Sequence, residues 1–191
     1  KTMTMDRGDL EVGFAGADVV VEREFTTKPV HQGYIEPHAT VVDASEDGRT
    51  HIWVSSQGHF SIRAQVAAVL ARDVSQFTVT PAEIGGGFGG KTTIYLEPLA
   101  VVLSAKTGRP VRLVMDRGEV FRASGPTSGT KVRVKMGATK NGQIVACDAW
   151  MALEAGAFPG SPLNGAIMTF LASYDIPNFL VNGLDVVCNK P

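Results

Sequence analysis

The pattern of apolar and polar positions predicts a chain built mainly from short strands. Apolar and polar residues alternate within residues 17–26, and this period of two is typical of a strand. Polar turn residues at 46–49 and an Asn-Gly pair at 141–142 each predict a hairpin between two strands. The predicted strands are 17–26, 39–42, 51–54, 76–80, 111–115, 131–136, 143–154 and 181–187.

Three stretches have the spacing of a helix instead. The first follows residues 56–58 and continues to about residue 72, the second covers about 93–106, and a short third one covers 165–172. Pro98 fits the first turn of the second helix, and Gly108 fits its C-terminal cap. The predicted apolar faces are Phe60, Ala64, Ala67 and Ala71 in the first helix, and Leu96, Leu99, Ala100 and Leu103 in the second.

Strands and helices are mixed without strict strand–helix–strand alternation, which favours the α+β class. We treat residues 1–191 as one region, with a possible change of subdomain near 116–130, where long strands replace the mixed pattern. The chain starts at Lys1 without an initiator methionine and ends in an apolar run into Pro191. We therefore expect it to be a fragment of a longer polypeptide.

The composition narrows the class of protein. Hydrophobic residues make up 44% and charged residues 19% of the 191 positions, as in ordinary globular proteins. The formal net charge of -1 argues against a nucleic-acid partner, and no apolar run predicts a membrane span. Cys147 and Cys188 form no Cys-x-x-Cys pair, so we expect two reduced thiols and a cytoplasmic protein.

The glycine-rich segment Gly85-Gly86-Gly87-Phe88-Gly89-Gly90-Lys91-Thr92 carries the strongest chemical signal. So many glycines are usually kept where the backbone needs positive φ angles or lies against a ligand. The segment satisfies the phosphate-binding pattern G-x-x-x-x-G-K-T, with a predicted strand before it and a predicted helix after it. Two residues count against a P-loop: Phe88 fills the centre of the loop, and Arg112 interrupts the apolar strand that would end in the magnesium-binding Asp116.

The same segment also resembles GGGFGGK, a signature of the molybdenum hydroxylases, the xanthine dehydrogenase and aldehyde oxidase family. Four further segments resemble motifs of that family in the same order along the chain. They are Glu36-Pro37-His38, Trp53-Val54-Ser55-Ser56-Gln57, Thr107-Gly108-Arg109-Pro110-Val111-Arg112 with Asp116-Arg117, and Tyr174-Asp175-Ile176-Pro177-Asn178. The chain resembles the first molybdopterin-binding region of the large subunit.

The resemblance implies an oxidoreductase that hydroxylates aldehydes or heteroaromatic carbons with oxygen derived from water. It implies a molybdenum–pyranopterin cofactor, in the molybdopterin cytosine dinucleotide form, with 2Fe-2S and FAD on partner subunits or domains. The rest of the molybdenum subunit and a small-molecule substrate are the other implied partners. The family's general base lies further along the subunit, so we expect no catalytic residue, no direct metal ligand and no activity in this chain alone. The implied cofactor-binding residues are Gln57, Gly86, Gly87, Phe88 and Gly89.

The resemblance also implies a substrate pocket formed by Phe88, Thr92 and Gly165. Purine-oxidising members have a Glu at the position of Thr92 and an Arg near the position of Gly165, so a less polar substrate is implied. These motifs are also compatible with the carbon monoxide dehydrogenases of the family. Two other functions stay open: a P-loop nucleotide-binding module and a non-catalytic interaction domain.

Several side chains also have simpler interpretations. Gln57 is a candidate polar residue at a helix start, and Lys91 is as compatible with a surface position as with a loop or phosphate contact. Glu97 and Glu154 are candidates for buried acids, but we expect a solvated or capping role for both. His38, beside Glu36, is the one histidine whose surroundings deserve inspection.

Overall fold

A computed structural model describes residues 1–190 of the chain. Within these residues nine strands and five α-helices alternate irregularly, so the α+β class is confirmed. In chain order they are β1 (Thr2–Arg7), α1 (Leu10–Ala15), β2 (Val19–Thr27), β3 (Ala39–Ala44), β4 (Thr50–Val54), α2 (His59–Val69), β5 (Phe77–Pro81), α3 (Glu97–Thr107), β6 (Val111–Val114), α4 (Arg117–Ala123), β7 (Thr130–Ala138), β8 (Ile144–Gly156), α5 (Leu163–Phe170) and β9 (Asn178–Val187). None of these helices is long and apolar enough to cross a membrane.

The chain divides into two units, and the first consists of Lys1–Val30 together with the residues from Ser128 onward. Its five-stranded sheet has the order β1-β9-β8-β7-β2, and only β8 and β9 pair in parallel. Alternate residues of β8 enter the core, and α5 covers that face with Leu163 and Ile167. A Cβ on Gly183 in β9 would lie 2.3 Å from Ile167 Cδ1, so glycine permits the close approach of α5.

The second unit, His31–Thr127, contains a four-stranded sheet in the order β5-β4-β3-β6. Strands β4 and β5 are parallel, while β3 pairs antiparallel with both of its neighbours. Val42 and Ile52 of the sheet pack with Val66 of α2 and Ala100 of α3 in one hydrophobic core. The apolar stripes of two helices therefore cover this small sheet.

The predicted face of α2 is confirmed at Ala67 and wrong at its other three positions. Phe60 is 83% exposed and Ala64 and Ala71 are exposed too, whereas Ile62, Val66 and Ala67 are buried. Both stripes have helical spacing, and the branched side chains of Ile62 and Val66 bury more apolar area than Ala64 and Ala71 would. The helix also ends at Val69, earlier than the predicted residue 72.

The second predicted helix is confirmed at its C-terminal end, begins at Glu97 rather than near residue 93, and is partly wrong in its face. It begins at Glu97 with Pro98 in its first turn, and Gly108 caps it with a φ of 62°. The buried positions are Glu97, Ala100, Val101 and Ser104, while Leu99 is exposed. The hydroxyl of Ser104 is satisfied in the core, since it accepts from Ala44 N and donates to the Arg109 carbonyl.

The sequence pattern did not predict three elements: β1, α1 and α4. The sequence signals of the two helices are their N-terminal caps. Asp9 Oδ1 accepts from Glu11 N and Val12 N at the start of α1. Asp116 and Glu119 form a reciprocal capping box at the start of α4. Both helices are short, so their caps carry more information than any periodicity.

Candidate functional site

The glycine-rich loop, residues 85–92, lies between β5 and α3 in the second unit. It runs on as an irregular segment, because α3 begins only at Glu97. Phe88 has a φ of 49° and Gly86 and Gly89 have φ angles of 91° and 87°. The ring of Phe88 is 73% exposed. The loop therefore holds an aromatic side chain at its tip in a backbone conformation that favours glycine.

Three side chains, those of Glu36, Gln57 and Tyr34, lie close against glycines of this loop. A Cβ would lie 2.7 Å from Glu36 Cβ at Gly85 and 2.6 Å from Gln57 Oε1 at Gly87. At Gly90 it would lie 2.7 Å from a ring carbon of Tyr34. These distances are shorter than real Cβ contacts allow, so the glycines permit the backbone to rest directly on Glu36, Gln57 and Tyr34.

Gln57 binds the loop through the oxygen of its amide. Oε1 accepts from Gly89 N at 2.9 Å and from Lys91 N at 3.2 Å. The backbone N–H of Gln57 also donates to the Lys91 carbonyl at 2.9 Å. The N-cap of α2 is Gly58, without any side-chain cap, so the interpretation of Gln57 as a helix cap is wrong.

The hydrogen bonds of the loop leave particular donors free. The N–H groups of Gly85, Gly89 and Lys91 donate to side chains, and Gly90 N donates to the Gly87 carbonyl. The N–H groups of residues 86–88 have no partner within the described chain. The amide nitrogen Nε2 of Gln57 likewise has none among residues 1–190. Three consecutive backbone donors and one neutral side-chain donor are thus available to an electronegative ligand.

Lys91 lies beneath the loop and is not a surface residue. Its side chain is 1% exposed, and Nζ lies 2.5 Å from Glu36 Oε2. Burial alone would raise the pKa of Glu36, but the hydrogen bonds from Lys91 and Gly85 N outweigh it and lower that pKa. The lysine is therefore committed to an ion pair inside the protein, whereas a P-loop lysine must reach a phosphate.

A chain of hydrogen bonds joins the buried groups His38, Tyr34 and Ser124. Burial first, and then the positive charge of Lys91, lower the pKa of His38 to about 4, so this histidine is neutral at pH 7. His38 Nε2 lies 2.7 Å from the hydroxyl of Tyr34, which donates to Ser124 Oγ at 3.2 Å. The sequence analysis named Glu36 only in a motif, singled out His38 among the histidines, and did not name Tyr34. The structure places Glu36 and Tyr34 directly against the loop glycines, and His38 is bonded to Tyr34.

The other candidates have different surroundings. Thr92 is exposed, and its hydroxyl donates to the Gly89 carbonyl at 3.1 Å. Gly165 lies in α5 of the first unit, with open space where a Cβ would stand. Glu97 is buried rather than solvated, accepts from Tyr95 N, and has a pKa raised by that burial. Glu154 pairs with Lys190 at 2.8 Å.

No group of three acidic, histidine or cysteine side chains in residues 1–190 could hold a metal ion.

Comparison with known proteins assigns the chain to a class. The family described as "Molybdopterin cofactor-binding domain" matches residues 1–191. The chain belongs to this family of molybdopterin cofactor-binding domains. The resemblance to the molybdenum hydroxylases is thereby confirmed, and the nucleotide-binding alternative has no support.

Three relatives show how much of a larger protein the chain corresponds to. It is 30% identical over 190 residues to the nicotinate dehydrogenase large molybdopterin subunit of Eubacterium barkeri, covering 98% of this chain and 45% of that protein. It is 33% identical over 193 residues to the xanthine dehydrogenase/oxidase of Mus musculus, covering 98% and 14%. The aldehyde oxidoreductase structure from Desulfovibrio gigas matches with a TM-score of 0.82 and 26% identity, covering 100% of this chain and 21% of that one. The chain spans less than half the length of each of these proteins.

Proposed function

We propose that this chain forms the cofactor-contacting part of a larger molybdenum subunit. The subunit would belong to an oxidoreductase that hydroxylates aldehydes or heteroaromatic carbons with oxygen derived from water. One observation carries the proposal: the glycine loop leaves three consecutive N–H groups free beside the free amide nitrogen of Gln57. Membership in a molybdopterin cofactor-binding family supplies the ligand that these donors suit.

The residues present fit a group of this kind. The pterin phosphate and the electronegative atoms around molybdenum need donors, and backbone amides supply them without adding a charged side chain. Gly86, Gly87 and Phe88 would donate through the backbone, Gln57 would donate through Nε2, and Gly89 would fix the turn. When bound, the molybdenum cofactor supplies the redox chemistry, while the protein binds and orients it.

Phe88 is the best candidate for the wall of a substrate pocket. Its ring is exposed at the tip of the loop, next to the free amides, and a planar aromatic substrate can stack on such a ring. Thr92, four residues further along the same loop, carries no charge where purine-oxidising members have a Glu. We therefore propose an aldehyde or a heteroaromatic ring that needs no charged anchor, rather than a xanthine-like substrate.

We further propose the molybdopterin cytosine dinucleotide form of the cofactor, with 2Fe-2S and FAD on partner subunits or domains. The name of the relative in Eubacterium barkeri, a large molybdopterin subunit, supports an assembly with further subunits. We place the enzyme in the cytoplasm, where thiols such as Cys147 and Cys188 stay reduced; both are free.

The test is cofactor analysis of the complete subunit that carries this chain, purified from a host that makes the cofactor. We expect stoichiometric molybdenum, a fluorescent pterin after oxidation, and turnover of aldehydes or heteroaromatics in preference to xanthine. A folded subunit without molybdenum or pterin would support the non-catalytic interaction domain instead. Xanthine as the preferred substrate would leave cofactor binding intact but reject the proposed substrate class.

A further inference from the structure

One carboxylate holds both ends of the glycine loop. Glu36 Oε2 accepts from Gly85 N at 2.7 Å and from Lys91 Nζ at 2.5 Å. Gly85 is the first glycine of the loop and Lys91 follows the last one. On its other oxygen, Glu36 accepts from Ser55 Oγ at 3.2 Å, which fixes the plane of the carboxylate. A single side chain thus ties the two ends of the loop to each other and to the segment after β4.

The position of Lys91 separates this arrangement from ordinary surface pairing. The lysine is 1% exposed, whereas the Glu36 side chain is 30% exposed. The ammonium also lies 5.0 Å from the centroid of the Tyr34 ring. A buried ion pair is often no more stabilising than apolar residues of the same volume, so its retention calls for a geometric reason. The geometry it fixes here is the distance between the ends of the loop.

We propose that Glu36 and Lys91 are positioning residues of the cofactor site. Their ion pair sets the separation of the loop ends and thereby aims the N–H groups of Gly86, Gly87 and Phe88. Neither residue touches the cofactor in this account; each acts through the backbone that it holds. The inference rests on the proposed function of the loop, and it assigns a role to the lysine that the P-loop pattern would have placed on a phosphate.

A charge-balanced double variant separates positioning from simple stability. Glu36→Gln keeps a side-chain oxygen that can accept from Gly85 N, and Lys91→Met fills the volume of the lysine stem without a charge. Together they remove the ion pair and leave no unpaired charge in the core. Asp47→Asn is the matched control, because it breaks an exposed pair with Arg49, 3.7 Å long, in the same unit.

The experiment uses the complete molybdenum enzyme and four readouts. These are the thermal midpoint, hydrogen–deuterium exchange of the peptide covering residues 85–92, the molybdenum EPR signal, and kcat and KM. We expect the double variant to keep a midpoint near that of the wild type. Its loop peptide should exchange faster, its EPR signal should shift, and kcat/KM should fall by roughly 100-fold, as for a misplacement of about 1 Å at a reacting centre. Asp47→Asn should match the wild type in all four.

A double variant with wild-type exchange, EPR signal and kcat/KM would overturn the proposal, and the pair would then be a core contact only. If the double variant does not fold, Lys91→Met alone takes its place, since the remaining carboxylate is partly exposed and still hydrogen-bonded to Gly85 and Ser55. A wild-type enzyme without molybdenum would reject the proposed function. In that case the exchange of residues 85–92 still decides whether the pair orders the loop.

Discussion

Gln57 Oε1 lies 2.9 Å from Gly89 N, so the acceptor end of this side chain faces the glycine loop. The same oxygen accepts from Lys91 N. An amide whose oxygen is committed in this way presents its two N–H donors on the opposite side. One residue therefore both holds the loop and adds a neutral donor beside the loop's free N–H groups.

Two substitutions at Gln57 separate these roles. Gln57→Glu keeps an oxygen for the loop amides but loses the donor, whereas Gln57→Ala loses both. If Gln57 donates to the cofactor, both variants should lower turnover by ~100- to 1,000-fold, as loss of one such donor does. Only Gln57→Ala should loosen the loop, at about 1 kcal/mol per lost hydrogen bond. Turnover, molybdenum content and thermal midpoint are the measurements. A fully loaded Gln57→Ala enzyme with wild-type turnover would show that the side chain has no role beyond the loop.

Two substitutions at Phe88 should separate its role in substrate placement from the strain in its backbone. Phe88→Ala and Phe88→Gly both remove the exposed ring, so both should raise KM and relax selectivity among substrates of different ring size. They differ in the backbone, because a φ of 49° is unfavourable for alanine and free for glycine. The glycine variant should therefore be more stable than the alanine variant by about 1 kcal/mol. An unchanged KM in both variants would remove Phe88 from the substrate pocket.

The protein should not bind ATP with magnesium, despite the literal match of residues 85–92 to the P-loop pattern. Lys91 is buried in an ion pair with Glu36, and no helix begins directly after the loop. Calorimetry with Mg-ATP should give no binding tighter than ~100 μM, or about 5.5 kcal/mol. A tighter dissociation constant that Lys91→Met abolishes would restore the nucleotide-binding interpretation.

The burial of His38 should make stability depend on pH. Its pKa is lowered from 6.5 to about 4, so the folded protein favours the neutral ring. The stabilisation is complete above about pH 6.5 and is lost as the pH falls toward 4, by up to about 3 kcal/mol. Below that pH both states bind the proton and the loss stops growing.

The measurement is the thermal midpoint of the wild type and of His38→Gln between pH 7.5 and 4 (roughly the window in which the ring titrates). Glutamine keeps an N–H for the hydroxyl of Tyr34 but does not titrate. The difference between the two proteins should be constant above about pH 6.5 and should shrink as the pH falls toward 4. A difference that stays constant over the whole range would mean that folding does not lower the pKa of His38.

Local signals predicted much of the fold. The turn at 46–49 and the Asn-Gly turn at 141–142 both join antiparallel strands, and Gly108 caps α3. These features depend on a few neighbouring residues. The faces of α2 and α3 depend on which of two helically spaced stripes meets the sheet, and that is decided by packing. A serine such as Ser104 enters the core because its partners, Ala44 N and the Arg109 carbonyl, come from other elements.

The candidate site shows the same contrast between local signals and tertiary contacts. The motifs indicated Gln57 and the glycine loop, but their spacing alone did not show that the amide oxygen of Gln57 accepts from the loop. The ion pair joins Glu36 and Lys91, which no sequence periodicity connects. Because Lys91 is buried in this pair, its ammonium group is not available to a phosphate. Composition and pattern reveal the residue types available to a ligand. Only the tertiary contacts show which donors are already used within the protein.

The most direct test of the cofactor-binding role of the loop is the molybdenum and pterin content of the complete subunit in three forms. Gly87→Ala would place a Cβ 2.6 Å from Gln57 Oε1, whereas Gly125→Ala, in the same unit, would place one in open space. We predict stoichiometric molybdenum in the wild type and in Gly125→Ala, and a strong loss in a folded Gly87→Ala. Equal molybdenum in all three proteins would contradict the assignment of the cofactor to this loop.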